Sequence, residues 1–222
     1  MRIKINFSCH KDGFDKPIQD YVNSFIHKLL GHNNVYHDSF SNYSISSLNG
    51  GVIVDGKITY PYGGYLYISS LDMDFLFKIK KALLKTNFQL CDMSPVSANI
   101  EDFYPMNEYD IIRTVNPILL KDGDNIITYK DENFIEVLLE KSKKKLLHNG
   151  IPYNKVETLN IEPFHFEKAK VKYAKVKNVI NKSSHVMLCI KGDRDARYAL
   201  YNLGLGKSTG CGFGNVDIIR KK

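Results

Sequence analysis

The sequence predicts an α+β protein made of two βαββαβ halves in tandem. Three observations carry this prediction. Residues 2–9, "RIKINFSC", place Ile3, Ile5 and Phe7 on one face, with the period of two that is typical of a strand. Later segments repeat apolar residues at the three- and four-residue spacing of amphipathic helices. A similar order of strands and helices then recurs in the second half of the chain.

The first half begins with this strand and continues with a helix that opens at Pro17 and closes at Gly31. The helix has apolar residues at helical spacing: Ile18, Tyr21, Val22, Phe25, Ile26, Leu29 and Leu30. A strand ends the polar segment 32–51, and further strands are predicted around 51–60 and 63–70. A second helix over about 71–86 and a strand within 88–104 complete the order βαββαβ, which is that of a ferredoxin-like unit.

The second half repeats this order. Strands are predicted at 110–120 and 125–129, an amphipathic helix at 131–150, strands at about 166–177 and 185–191, a short helix at 193–204 and a last strand at 213–219. The predicted fold is therefore two tandem ferredoxin-like (RRM-like) βαββαβ domains, residues 1–106 and 107–222, with a C-terminal glycine-rich loop.

The composition restricts the partners and the cellular compartment that we expect for this chain. The chain has 31 Lys and Arg against 24 Asp and Glu, a formal charge of +7, which favours polyanionic partners without requiring them. Its four cysteines lie far apart and form no CxxC or zinc-binding spacing, as expected in a reducing compartment. The chain shows no signal-peptide pattern and no apolar run of 18 residues, so we expect a cytoplasmic protein that does not act in a membrane.

The stretch "GLGKSTGCGFG", residues 204–214, is the densest glycine segment. A Walker A loop would need glycine at position 201, which is Tyr201, and would lie between a strand and a following helix. This loop instead follows a helix and precedes a strand. The dinucleotide pattern GxGxxG also fails, because Thr209 stands at the third glycine position. A nucleotide cofactor is therefore not expected, and the glycines either serve a mobile connection or let a ligand approach the backbone closely.

The loop resembles the hallmark of the RAMP superfamily of CRISPR-associated proteins, in which two glycine–hydrophobic–glycine units flank a short basic spacer before the last strand. Here these units are residues 204–206 and 212–214. Within the superfamily the chain most resembles the endoribonuclease that cuts CRISPR precursor RNA within its repeats. The resemblance implies tandem ferredoxin-like domains and an RNA-binding role for the loop residues Gly204, Gly206, Lys207, Ser208, Gly210, Gly212 and Gly214.

The resemblance also implies a catalytic histidine just after the first helix. The segment "VYHDSFSNYSIS" looks like the family's pattern, and His37 is the matching residue. A tyrosine or a second histidine commonly lies near the end of the first helix, where this chain has His27. Helical geometry independently places His27 about 160° from the apolar stripe, beside Asp20 and Asn23, so it is not expected to be a core residue. Without the resemblance, both histidines would be read as surface residues.

The implied chemistry suits histidine. The 2′-hydroxyl of RNA is the nucleophile, and imidazole titrates near neutral pH, so it can remove that proton or protonate the departing 5′-oxygen. The resemblance implies a 2′,3′-cyclic phosphate or 3′-phosphate end and a 5′-hydroxyl, formed without metal. The family's lysine a few residues after the histidine is missing here, and Lys28, Lys207 or His27 would have to replace it.

Lys168, Lys170 and Lys172 alternate along "FEKAKVKYAKVK" and are predicted to lie on one strand face that follows an RNA backbone. The opposite parity of Lys175 and Lys177 predicts a bulge or a turn near residues 173–174. The alternative is a solvated basic face.

CRISPR repeat RNA is thus the expected partner, no metal or cofactor is expected, and contacts with other CRISPR effector subunits or a homodimer stay open. Two alternative functions also stay open. One is a non-catalytic RAMP subunit that holds guide RNA in an effector complex. The other is a generic RNA-binding ferredoxin-like protein, although the chain has no RNP1-like aromatic strand.

Overall fold

The computed structural model describes residues 1–14, 18–31, 42–85, 87–102, 107–176 and 179–219. The first half contains β1 (Arg2–Phe7), β2 (His10–Phe14), α1 (Ile18–Leu30), β3 (Tyr43–Ile45), β4 (Val52–Val54), β5 (Lys57–Tyr60), β6 (Gly64–Ser70), α2 (Met73–Lys85) and β7 (Pro95–Glu101). The second half contains β8 (Tyr109–Thr114), β9 (Leu120–Asp122), β10 (Asn125–Ile127), α3 (Phe134–His148), α4 (Tyr153–Glu157), β11 (Asn160–Phe164), β12 (Lys170–Val176), β13 (Val179–His185), β14 (Met187–Lys191), α5 (Arg194–Leu203) and β15 (Val216–Ile218), with 3-10 helices at Phe166–Lys168 and Thr209–Cys211.

The main sheet of the first half has the order β3-β6-β1-β7, with every neighbouring pair antiparallel. Counted within the unit, this is second, third, first, fourth, the strand order of a ferredoxin-like fold. The period of two in β1 gives the predicted result, because Ile3, Ile5 and Phe7 are all buried. The apolar stripe of α1 packs on the same core, and Gly31 ends that helix with a φ of 83°.

A separate three-stranded sheet, β2-β5-β4, stands beside the first. The segment 51–60, predicted as one strand, is a hairpin of β4 and β5 that turns at Asp55-Gly56. Both residues have positive φ, 49° and 77°, as the tight turns favoured by Asp-Gly require.

The main sheet of the second half repeats the order of the first, as β11-β14-β8-β15, again antiparallel throughout. Its second strand is β11 at residues 160–164, so the prediction of that strand at 166–177 is wrong. The alternating pattern of 168–173 is compatible with a strand, but β11 supplies the buried Ile161, whereas no residue of β12 is fully buried. Residues 170–176 instead pair with β13 in a two-stranded hairpin of their own.

The hairpin is regular. Its register runs without a shift from Lys170 opposite His185 to Val176 opposite Val179, so the predicted bulge near residues 173–174 is absent. The change of parity at Lys175 only moves that lysine to the other face of the strand.

Each half has its own apolar core. The buried cluster of the first half is drawn from residues 3–93, and that of the second from residues 112–216. The predicted division at 106/107 falls beside residues 103–106, which lie outside the described residues, and it stays a prediction.

Arg2 joins the two halves. Its buried guanidinium donates a hydrogen bond of 2.6 Å to the Val216 carbonyl and lies 3.7 Å from the Asp217 carboxylate. It also lies over the rings of Tyr67 and Tyr201, at 4.6 and 4.4 Å from their centroids. A planar cation on the first strand therefore ties the first sheet to the last strand of the chain.

Candidate nucleic-acid interface

The first predicted catalytic residue, His37, belongs to residues 32–41, which lie outside the described residues. Its role stays a prediction. The flanking elements are described, however. The described chain before these residues ends at Gly31, which follows α1, and after them it begins at Asn42, which precedes β3. Both α1 and β3 contribute residues to the first core.

The second predicted catalytic residue, His27, lies in the last turn of α1 and is half-buried, with its Nδ1 atom inaccessible to solvent. Gln19, Asn23 and His27 recur every four residues, so they form one polar stripe along the helix. The prediction that His27 lies off the apolar stripe agrees with this position. Its partial burial was not expected, and it means that other parts of the fold cover this stripe.

Part of that cover is the glycine-rich loop. The Asn23 amide donates to the Cys211 carbonyl at 3.3 Å, and Gln19 and Asn23 bond to each other at 3.1 Å. The amide of Asn116, from the segment after β8, donates to the Gly212 carbonyl at 2.8 Å and to the Ser47 hydroxyl at 2.6 Å. A polar network thus joins α1, the segment after β3 and the loop.

The geometry of this network relates the loop to His27. One helical turn rises about 5.4 Å, so His27 lies one turn beyond the residue that contacts the loop. The sequence contains no signal for the network, because its members are polar residues of common types at distant positions.

The glycines of the loop have a structural cause. Gly204, Gly206, Gly212 and Gly214 all have positive φ, between 59° and 88°. A Cβ at 206 would lie 2.5 Å from the Leu119 carbonyl oxygen, and a Cβ at 214 would overlap the Leu205 carbonyl oxygen. Close backbone packing, rather than mobility, therefore requires glycine at these positions.

Several amides of the loop bond within the protein. The Leu205 amide donates to the Gly214 carbonyl at 2.9 Å, that of Lys207 to the Leu119 carbonyl at 2.8 Å, and that of Gly214 to the Pro117 carbonyl at 3.0 Å. These three amides therefore already have hydrogen-bond acceptors within the protein.

The side chains of the loop divide between core and solvent. Lys207 and Cys211 are exposed and Ser208 is half-exposed, whereas Thr209, Gly210, Gly212 and Phe213 are buried. Thr209 donates its hydroxyl to the Tyr43 carbonyl at 2.9 Å and so holds the loop to β3. The loop thus presents one lysine, one serine and one cysteine outward.

Lys168, Lys170 and Lys172 are all exposed. Lys170 and Lys172 share a face of the β12–β13 hairpin, and Lys168 precedes them at the end of the 3-10 helix. The prediction that all three lie on one strand face therefore holds only for Lys170 and Lys172, and their strand belongs to the hairpin and not to the main sheet. We call the three exposed lysines the basic stripe.

The described residues contain no group of three His, Cys, Asp or Glu side chains arranged to hold a metal ion. No helix within the described ranges is long and apolar enough to cross a membrane.

The fold defines the class of protein as an α+β protein of two tandem ferredoxin-like units. Solved structures share this fold. A solved RAMP protein that binds different RNA substrates superposes with a TM-score of 0.79 at 19% identity, over 99% of this chain and 100% of that one.

The particular family follows from the sequence. A family model described as CRISPR-associated protein Cas6, C-terminal, matches residues 99–218, more than half of the 222 residues. The chain belongs to the Cas6 family. Members of this family are associated with the processing of CRISPR repeat RNA and are generally repeat-processing endoribonucleases.

Solved Cas6 structures share the whole fold. A CRISPR-associated protein Cas6 superposes with a TM-score of 0.81 at 23% identity, over 99% of both chains. The product of a Cas6-related gene from Pyrococcus furiosus gives 0.78 at 19% identity, over 100% of this chain and 99% of the other. No curated protein matches the chain by sequence.

Proposed function

We propose that this chain is a metal-independent endoribonuclease that cleaves CRISPR repeat RNA. The 2′-hydroxyl next to the cut would attack the phosphorus and leave a 5′-hydroxyl and a 2′,3′-cyclic phosphate. The observation that carries the proposal is the contact between α1 and the glycine-rich loop. It brings the helix that bears His27 against the loop predicted to hold RNA.

In this proposal His37 and His27 share the two proton transfers. One imidazole removes the proton of the 2′-hydroxyl, and the other protonates the 5′-oxygen as it leaves; each such transfer contributes typically about 10²–10⁴ in rate. The family's lysine is missing from the segment after His37. Lys207 can supply a cation instead, because its side chain is exposed on the loop.

The RNA backbone would lie across the exposed positions of the loop and along the basic stripe of the hairpin. The amides of Leu205, Lys207 and Gly214 already donate to carbonyls of the protein, so they are not available to bind a phosphate. This favours contacts from the side chains of Lys207 and Ser208. The glycines then act by shaping the loop, and Lys168, Lys170 and Lys172 act by neutralising phosphates.

The test is a cleavage assay with a labelled cognate repeat RNA in excess EDTA. We expect cleavage by the unmodified protein, a loss of about 10²-fold or more in His37→Ala, and a comparable loss in His27→Ala. A substrate with a 2′-deoxy nucleotide at the mapped cut should bind and stay intact, since it lacks the nucleophile.

His148→Ala is the matched control, because His148 is an exposed histidine in the last turn of α3, in the other half of the chain. Its cleavage rate should equal that of the unmodified protein. RNA that is bound but uncut by the unmodified protein would refute the enzyme and favour a non-catalytic RAMP subunit. Normal cleavage by His37→Ala would refute the catalytic assignment alone.

A further inference from the structure

A cavity of about 150 Å³ opens at one end of the second main sheet. Across this end Arg113 of β8 pairs with Met187 of β14 on one side and with Asp217 of β15 on the other. Arg113 and Met187 therefore form part of the cavity wall on the sheet face opposite the helices.

The remaining walls come from three neighbouring segments. His165 has a left-handed backbone, with a φ of 49°, which turns the chain from β11 into the 3-10 helix that carries Lys168. His185 ends β13, and Val186 follows it before β14 begins. These residues line the cavity together with Arg113 and Met187, so the sheet, the 3-10 helix and the hairpin meet there.

The lining is cationic over a small apolar wall. Arg113, Lys168, His165 and His185 supply the polar groups, and only Val186 and Met187 are apolar. Two carboxylates lie at the margin. Asp217 is 3.2 Å from Arg113 and is shared with the guanidinium of Arg2, and Glu167 is 2.7 Å from His165 Nδ1.

The basic stripe of the hairpin continues this charge. Lys170 lies directly opposite His185 in the hairpin, and Lys172 follows on the same face. Burial lowers the pKa of His185, and the charges of Lys172, Lys170 and Arg113 lower it further. The electrostatic potential at the cavity is therefore positive, and a bound anion would offset the repulsion between these cationic groups.

His185 is held in place for such a contact. Its Nδ1 lies 2.7 Å from the Thr114 hydroxyl, which is itself bonded to the carbonyl and amide of Val186. Nε2 is then the remaining polar atom of the ring. Nε2 donates when the Thr114 hydroxyl donates to Nδ1 or when the ring is protonated. In those forms it gives, together with the guanidinium and the ammonium group, donors on several sides of the cavity, the arrangement that phosphate oxygens require.

We propose that this cavity is a phosphate-binding site formed by Arg113, Lys168 and His185. When repeat RNA is bound, the site takes one phosphodiester of the strand that runs along the basic stripe. The proposal rests on the proposed function for the source of that phosphate and on the cavity alone for its chemistry.

The methyl group of Met187 reports on the cavity directly. In full-length protein labelled with ¹³C-methyl methionine, inorganic phosphate should shift the Met187 signal in a saturable way, and Met187→Leu assigns that signal. Met93 is fully buried in the first core and serves as the internal control. Lys168→Ala should weaken the titration several-fold, whereas Lys175→Ala, on the other face of β12, should leave it unchanged.

Repeat RNA provides the second arm. It should shift the same methyl group, and in Lys168→Ala the salt dependence of its affinity should fall by about 0.7 in log–log slope, the value for one lost phosphate contact with a single strand. RNA that binds without moving the Met187 signal would overturn the assignment to RNA. A phosphate shift that is equal in all variants, or no shift with either probe, would overturn the site.

The two proposals fail separately. If phosphate moves the Met187 signal but repeat RNA does not bind, the proposed function is refuted and the cavity stands as a site for a free phosphate compound. If RNA is cleaved but neither probe moves the signal, the cavity is refuted and the enzyme stands.

Discussion

The buried lysine of α3 gives the sharpest stability prediction. Lys145 lies in the core of the second half, where its Nζ donates to the Gly204 carbonyl at 3.1 Å. Burial lowers the pKa of Lys145 from 10.5 to about 7. The charged form is therefore disfavoured in the folded protein, and the substitution Lys145→Met should remove that cost.

The pH dependence and the magnitude of this cost follow from proton linkage, because the pKa of Lys145 differs between the folded and the unfolded protein. Between pH 7 and 10.5 the unfolded chain binds a proton that the folded protein does not, so the free energy of unfolding rises with pH in this window. At about 1.4 kcal/mol per pKa unit the full cost is on the order of 5 kcal/mol, of which about 3 kcal/mol disappears between pH 6 and 9.5. Leaving the Gly204 carbonyl without its donor costs about 1–3 kcal/mol, so Lys145→Met should gain about 2–4 kcal/mol at pH 6.

Urea unfolding followed by circular dichroism, in steps from pH 6 to 9.5 under reducing conditions, measures this difference. The gain of Lys145→Met over the unmodified protein should shrink as the pH rises, and contributions of other groups cancel in the difference. Lys144→Met is the control, because the exposed Lys144 pairs with Glu140 on the helix surface and should count for less than about 1 kcal/mol at every pH. Parallel stability curves for Lys145→Met and the unmodified protein would refute the reasoning.

Two further predictions concern buried contacts. Arg197→Met should lower the free energy of unfolding by about 3–5 kcal/mol, because it leaves the buried Asp110 carboxylate without its cation, and urea titration with Arg197→Lys as the partial rescue measures it. Gly214→Ala should destabilise far more than Gly123→Ala: both have positive φ, but a Cβ at 123 meets open space and pays only about 1 kcal/mol of backbone strain. Equal melting temperatures for the two alanine variants would contradict the packing role of the loop.

The local patterns of the sequence were sufficient for much of the fold. The period of two in β1 and the apolar stripe of α1 are properties of single segments, and both elements form as predicted. The tandem ferredoxin-like order follows from such patterns, and the family follows from the resemblance of the glycine units to its hallmark.

The sequence-based predictions fail where contacts with distant residues decide the structure. Residues 166–177 alternate like a strand, but only the pairing with β13 shows that they leave the main sheet. The sequence shows the glycine-rich loop but not the reason for its glycines. Gly206 packs against the Leu119 carbonyl, some 90 positions away, Gly212 against the Gln19 side chain, and Gly214 against the Leu205 carbonyl across the loop. His37 stays a prediction, and the network around Asn116 has no sequence pattern at all.

The packing of the loop has a consequence for how such a protein can diversify. Most positions from 204 to 214 are fixed by backbone crowding or burial, so substitutions there alter folding before they alter recognition. Lys207 and Cys211 are exposed, and Ser208 is half-exposed in a left-handed conformation that restricts its replacements. Adaptation of this loop to a new repeat sequence is therefore restricted to very few side chains, because the other positions must stay unchanged for the loop to fold.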